Sequence, residues 1–317
     1  MGVKYSFIIP IYNEQNDLQD TVDSCLKQEF PADKYEVILI DDGSSDNSYA
    51  LCKQQYHQID NIKILHYHVN KGVSYARNYG VKSSDGEVLV FLNADEIVPC
   101  DFLKKIDKHY DKGADYVYPQ TRVLNRKNIY GLYRDCYRQY KYNMPNKFLW
   151  SQGFSCKKDI FWAVDGFNEK YPGCGGEDWD FTTKIEKLAV NRVVDLSIVV
   201  KHKVPEKIED IVWHMYNRGR GSAYFDLIGK MKNPKYYLVK VLFRKLFIIG
   251  VLIYEPLASV MYFVNKMYVF LNNTYKICKC NGLKKGYIKI LSMSVLDTIL
   301  REISYSKTMF DNLVKRK

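Results

Sequence analysis

The chain has 317 residues, 47% of them hydrophobic and 26% charged, with a formal net charge of +11. This balance suits a globular protein with one catalytic-sized domain plus an appendage and excludes a disordered chain. Eight cysteines without paired CxxC spacing indicate neither a zinc site nor a disulfide framework and suit free thiols in a reducing compartment.

Met1-Gly2-Val3-Lys4 leads straight into an apolar strand-like run, Tyr5–Ile11, with no long apolar segment before it, so no signal peptide is expected. Strand signals recur over Tyr35–Ile40, Ile62–Tyr67 and Glu87–Leu92. Helix signals lie between them, over Asp17–Gln28, Ser45–Gln58 and Ser74–Ser83. The alternation predicts a parallel βαβ array, in which ligands gather at the carboxyl ends of the strands. Three of those ends are polar: Tyr12-Asn13-Glu14, Asp41-Asp42-Gly43-Ser44-Ser45 and Asn93-Ala94-Asp95.

The third end matters most. The run Val88–Val98 turns abruptly from aliphatic residues to Asn93, Asp95 and Glu96. Acids crowded at a strand tip are costly unless a divalent cation shares them, and Mg²⁺ or Mn²⁺ with a substrate diphosphate would do so. A solvated turn with Asp95 capping the next helix is the plainer alternative.

Further along, a helix is predicted over Asp101–Gly113 and a strand over Ala114–Pro119. Arg122–Phe148, rich in Tyr, Arg and Asn without clear periodicity, reads as a loop region over a site. The glycines from Pro172 to Gly176 permit a tight approach, and Glu177-Asp178 open a helix predicted over Trp179–Leu188.

Leu246–Asn265 is an apolar stretch of nearly membrane-spanning length, interrupted by Glu255-Pro256. In-plane or re-entrant membrane helices, a true span, and a soluble helical hairpin or oligomer contact all fit it. Leu283–Arg316 reads as an amphipathic helical tail. The basic excess lies largely in the final third, for example Lys201–Lys207, Arg218–Lys245 and Lys276–Lys289. It points to an anionic membrane surface, and no motif argues for nucleic acid.

The segments Phe7–Glu14, Val37–Asp46, Asn70–Asn78, Phe91–Asp95 and Gly175–Asp178, in this order, resemble the inverting glycosyltransferases of family 2, which have the GT-A fold. The resemblance covers about residues 5–205. It implies an α/β, Rossmann-like, mostly parallel sheet flanked by helices, to which the chain adds a helical membrane-associating appendage. The expected division is a catalytic domain over 1–205, with a nucleotide-binding half at 1–98 and an acceptor half at 99–205, followed by a basic and apolar helical region at 206–317.

Carried over position by position, the resemblance implies that Pro10, Tyr12 and Glu14 hold the nucleoside, with Tyr12 stacking on the base or merely lining the rim. Asp42 would accept a hydrogen bond from a base N–H, a role compatible with an Asx turn. Lys71 and Arg77 would meet the diphosphate, beside Asn93 and Ala94. Asp95 would hold the metal, with His202 as a further ligand. Asn93 departs from the family's first Asp and removes one negative charge, so weaker metal binding is expected.

Glu177 and Asp178 match the family's acidic pair, with Asp178 as general base. Trp150 and Trp179 could stack on a sugar, or be ordinary half-buried aromatics. His214, Arg218 and Arg220 form a second basic cluster, for the leaving diphosphate, for a lipid phosphate, or simply as a solvated helix end.

The implied activity moves a sugar from a nucleoside diphosphate sugar, expected to be UDP-linked, to a hydroxyl of a glycan or lipid-linked glycan. It would use Mn²⁺ or Mg²⁺ at the cytoplasmic face of the cell membrane. Transfer to a polyprenyl phosphate is a rival that needs no base, and a non-catalytic nucleotide-sugar-binding protein is a rival motivated by Asn93. A nucleic-acid-binding module is the least favoured. No residue signals a particular oligomeric state.

Overall fold

The computed structural model describes residues 2–142, 152–173, 175–230 and 287–314. They fall into two compact units: Met1–Asn125 with Lys147–Val204, and Arg126–Asn146 with Pro205–Lys317. The strands are β1 (Tyr5–Ile11), β2 (Tyr35–Asp42), β3 (Ile62–Tyr67), β4 (Val88–Phe91), β5 (Glu96–Ile97), β6 (Tyr116–Val123), β7 (Phe154–Lys157) and β8 (Arg192–His202). The helices are α1 (Leu18–Leu26), α2 (Ser48–Tyr56), α3 (Val73–Lys82), α4 (Phe102–Tyr110), α5 (Ile129–Tyr142), α6 (Lys158–Ala163), α7 (Glu177–Ile185), α8 (Ile208–Phe225) and α9 (Tyr287–Val314).

The first unit is built on one sheet in the order β3-β2-β1-β4-β7-β6-β8-β5. Strands β3, β2, β1 and β4 are parallel, as the alternating signals require. Every residue of β2 is buried, the mark of a parallel strand covered on both faces. Beyond β4 the sheet becomes mixed: β7 is antiparallel to β4 and β6, while β8 runs parallel to β6 and antiparallel to β5.

Two packing devices position the site. Gly80 lets α3 lie close on the sheet, since a Cβ there would stand 2.7 Å from Ile40 Cδ1 and 3.0 Å from Ile8 Cγ2. On the same unit, Phe91, Phe154, Phe161, Phe167 and Phe181 form a buried aromatic cluster, with Phe167 stacked on Phe181 at 4.2 Å. Each fully buried ring contributes about 1.5–3 kcal/mol. Because Phe181 belongs to α7, the cluster fixes that helix against the sheet.

In the second unit α8 packs along α9. Gly219 makes the contact possible, because a Cβ there would fall 2.2 Å from the Arg301 carbonyl oxygen. Ala223, Leu227 and Met309 form a small core, and the Tyr305 hydroxyl donates to Asp226 Oδ2 at 2.9 Å.

Arg122–Phe148 differs from its expected loop. Its described part completes β6 and then forms α5, and residues 126–146 cluster with the second unit rather than with an acceptor half. The buried residues of α5 include Tyr130, Tyr133, Arg134, Arg138 and Tyr142, a helical spacing carried by amphipathic rather than aliphatic side chains. Reading apolar periodicity alone therefore misses it. Among the described residues no helix is long and apolar enough to cross a membrane. Leu246–Asn265 and Trp150 lie outside the described residues.

Candidate active site

The tips of β1, β2 and β4 lie at one edge of the sheet, as parallel register dictates. Asn13, with φ of 58°, follows β1 in the left-handed region. Its side-chain oxygen accepts the Ser45 N–H at 2.8 Å, which ties the first tip to the second. Pro10 is the last residue but one of β1, Tyr12 stands at the rim with 48% of its surface exposed, and the Glu14 N–H donates to Ser48 Oγ. Burial, then the negative charge of Asp95, pushes the Glu14 carboxyl up to about 8.

Asp42 serves the chain itself. Its Oδ1 accepts the Lys71 N–H at 2.7 Å and its Oδ2 the Gly72 N–H at 2.9 Å, so it anchors the turn into α3, where Gly72 has φ of 90°. Burial raises its pKa against these hydrogen bonds. Its neighbour Asp41, which the sequence places at the same strand end without a role of its own, is fully buried. Asp41 Oδ2 lies 2.9 Å from His66 Nδ1, and its buried Oδ1 has no hydrogen-bond partner. The doubled acid of Ile40-Asp41-Asp42-Gly43 is the signal that could have found it.

Lys71 Nζ lies 4.4 Å from the Tyr75 ring centre and 3.2 Å from its hydroxyl. Arg77, one turn into α3, is 2% exposed. Its Nη1 donates to Glu177 Oε1 at 3.2 Å and its Nη2 to Asn93 Oδ1 at 2.9 Å, with the guanidinium 5.0 Å from the Phe167 ring centre. Asn93 Nδ2 in turn donates to Glu96 Oε1 at 2.8 Å. One chain of contacts thus joins α7, α3, the β4 tip and β5.

That chain gives the departure at Asn93 a physical reason. An amide can accept from Arg77 and donate to Glu96 at once, whereas an aspartate would set a second carboxylate against Glu96. Ala94 is buried, and its carbonyl accepts from the Thr21 hydroxyl at 2.8 Å, holding the turn that presents Asp95.

β5 and β8 then pair antiparallel with Glu96 opposite His202. Asp95, Glu96 and His202 each bring a ligand atom within 4.8 Å of the others, and His202 Nε2 lies 3.3 Å from Asp95 Oδ2. Ligand atoms around Mg²⁺ are roughly 3 to 4 Å apart, so this set of two carboxylates and an imidazole has the chemistry and approximate spacing to close on a small divalent cation. Sequence reading names Glu96 as an oxygen donor but assigns the metal to Asp95 and His202. The pairing of β5 with β8 supplies the third member.

The two acids of α7 are placed differently. Glu177 is buried, its Oε1 on Arg77 and its Oε2 accepting the Gly175 N–H at 2.6 Å. Asp178 is half-exposed in the first turn, where its Oδ1 accepts the Trp179 N–H at 2.8 Å. Trp179 is half-exposed beside it. Gly72 closes the surround, its would-be Cβ 3.6 Å from the Gly173 nitrogen.

Arg218 and Arg220 belong to the second unit, on α8. Arg218 is held by a carboxylate rather than presented as a solvated helix end: Nη1 lies 3.0 and 2.9 Å from the two oxygens of Asp297. Arg220 is half-buried. His214, from the same cluster, contacts the Tyr130 hydroxyl through Nδ1.

Residues 6–163 match the family described as glycosyl transferase family 2, and residues 135–203 one described as the N-terminal domain of galactosyltransferase. Glycosyltransferase AglE of Haloferax volcanii is 38% identical over 90 residues, 28% of this chain and 30% of that protein. The poly(ribitol-phosphate) beta-N-acetylglucosaminyltransferase TarS of Staphylococcus aureus is 29% identical over 132 residues, 40% of this chain and 22% of that protein. In these matches the chain spans less than a third of either relative's length.

Among solved structures, mannosyltransferase PcManGT from Pyrobaculum calidifontis, in complex with GDP-Man and Mn²⁺, superimposes with a TM-score of 0.63 at 17% identity, over 95% of this chain and 86% of that one. S. aureus TarS 1–349 gives a TM-score of 0.56 at 18% identity, over 96% and 90%. Likeness at such identities carries the fold alone, and the fold is GT-A. With the family match over the strand-tip motifs, it follows that the chain belongs to glycosyltransferase family 2.

Proposed function

We propose that this protein transfers a sugar, with inversion, from a UDP-linked donor to a hydroxyl of a glycan or lipid-linked glycan. The observation that carries this reading is the division between the two acids of α7: Glu177 is buried against Arg77, while Asp178 stays half-exposed at the helix start. UDP is favoured because TarS has been solved with UDP and with UDP-GlcNAc. The basic final third supports an acceptor held at an anionic membrane surface.

In this reading Asp178 takes the proton of the acceptor hydroxyl. The hydroxyl oxygen then bonds to the anomeric carbon as the bond from that carbon to the diphosphate breaks, and the nucleoside diphosphate leaves with the electron pair. Asp95, Glu96 and His202 would hold Mn²⁺ or Mg²⁺, which when bound stabilises the charge developing on the diphosphate. Tyr12 stacks on the base, Asp41 offers its buried oxygen to the base edge, and Lys71 swings from Tyr75 toward the phosphates. Arg77 fixes Glu177 and Asn93, and so orients both the base and the metal ligands. Trp179 offers its face to a sugar.

The test is nucleoside diphosphate release from UDP-GlcNAc, UDP-glucose and GDP-mannose with Mn²⁺, for the wild type and Asp178→Asn. Loss of a general base should slow turnover by roughly 10²- to 10⁴-fold with donor binding retained. Full activity of the variant on a polyprenyl phosphate would favour that acceptor instead. Tight donor binding without turnover would favour a binding protein.

A further inference from the structure

Among the described residues of the second unit, arginines of α5 and α8 gather around one tyrosine. Arg134 on α5 is 6% exposed, and its Nε and Nη1 donors have no hydrogen-bond partner. A guanidinium stays protonated when buried, so the cost of burying it must be met by paired charge and hydrogen bonds. Two arginines act against its charge and one carboxylate, Asp297, acts for it. Burial, then Arg218 of α8, together with Arg138 of α5, pushes its pKa down to about 10.

Tyr137 sits in the same field. The guanidinium carbons of Arg134 and Arg218 lie 5.8 and 5.7 Å from the centre of its ring. Burial works to raise its phenol pKa, yet Arg218, Lys141, Arg301 and Arg134 together move it below the ordinary value. Asp297 of α9 is a carboxylate that acts on Arg134. It is already engaged by Arg218 Nη1 at 3.0 and 2.9 Å and by the Tyr133 hydroxyl at 2.8 Å. Asp135 turns to Arg126, whose Nε is 3.2 Å away.

We propose that this cationic cluster is a binding site for a phosphoryl group, with Arg134 as the contact residue and Arg218 as the second charge. Convergent guanidinium groups suit phosphate oxygens better than a single carboxylate, because a phosphate brings more negative charge and more acceptor positions. The site uses none of the strand-tip residues, and a ligand distinct from the donor diphosphate is what competition with UDP tests. The phosphoryl group belongs either to a lipid headgroup or to a soluble phosphate ester.

Inorganic phosphate is the first probe, titrated calorimetrically into the full chain in chloride buffer at fixed ionic strength. Saturable binding is expected, unchanged when UDP and Mn²⁺ are already present. Arg134→Gln should weaken it by about tenfold or more, the worth of one charged hydrogen bond. Arg134→Lys, which keeps the charge but loses the Nε and Nη1 donors, should fall between, and it decides the matter if the glutamine variant does not fold. No binding by the wild type, equal binding by Arg134→Lys and wild type, or displacement of phosphate by UDP would each overturn the proposal. Vesicles of phosphatidylglycerol in phosphatidylcholine separate the sources: sedimentation with them that inorganic phosphate reverses and Arg134→Lys weakens assigns a lipid headgroup. Phosphate binding without vesicle binding assigns a soluble ester.

Discussion

Arg77 and Glu177 meet across a hundred residues of sequence, Nη1 on Oε1 at 3.2 Å, with side chains only 3% and 5% exposed. Removing one member of so buried a pair leaves the other charge uncompensated and costs about 3–5 kcal/mol. Arg77→Ala is therefore expected to lower the melting temperature strongly. Arg77→Lys should recover part of the loss, since an ammonium cannot bridge Glu177 and Asn93 with a planar fork. Thermal unfolding of the two variants checks this, and equal, small shifts for both would count against a bracing role.

Asn93→Asp tests why the strand tip carries an amide. The substitution replaces the donor to Glu96, now 2.8 Å away, by a carboxylate, so the metal-free protein should lose about 1–3 kcal/mol. Added Mn²⁺ should restore more stability to the variant than it adds to the wild type, because the extra charge favours the cation. An unchanged metal-free melting temperature would show that Asn93 does not bridge.

Asp95→Asn and His202→Gln address the proposed metal ligands directly. Each should weaken Mn²⁺-dependent stabilisation by at least roughly tenfold in metal concentration, since even outer partners of metal ligands are worth that much. Glu96→Gln should do the same if β5 and β8 bring it to the ion as their pairing implies. Metal titration followed by thermal shift reads all three. A silent Glu96→Gln would reduce the site to Asp95 and His202.

Much of the first unit is legible in the sequence because its signals are local. The apolar runs of β1, β2 and β4 end in polar tips, and α1, α2 and α3 sit between the first four strands at the expected places. What lies beyond local signal is partnership. Nothing near Glu96 announces that β8 returns His202 opposite it, and nothing near Arg77 announces Glu177. Asp42 and Asp41 are chemically identical neighbours, and only the fold gives one to the turn at Lys71 and the other to His66. Helix α5 escapes for a different reason. Its inner face is written in tyrosine and arginine, residues that ordinarily mark a surface.

His214 offers a pH test of the second unit. Burial first, then the charges of Arg134, Arg218 and Arg138, hold its pKa well below the ordinary value, and its Nδ1 is met by the Tyr130 hydroxyl. In the unfolded chain the imidazole titrates near its usual value of about 6.5. Above that pH both states are neutral and the full stability is present. As pH falls below it the unfolded chain takes up a proton that the folded protein refuses, so stability declines. His214→Gln, which keeps a polar group near Tyr130 without a titrating ring, should flatten the loss of stability between about pH 6.5 and 5. Anions that neutralise Arg134 should soften the slope in the wild type, since they remove part of the charge that keeps His214 neutral. Parallel stability profiles for wild type and variant over this range would show that the imidazole titrates as freely in the folded protein as in the unfolded chain.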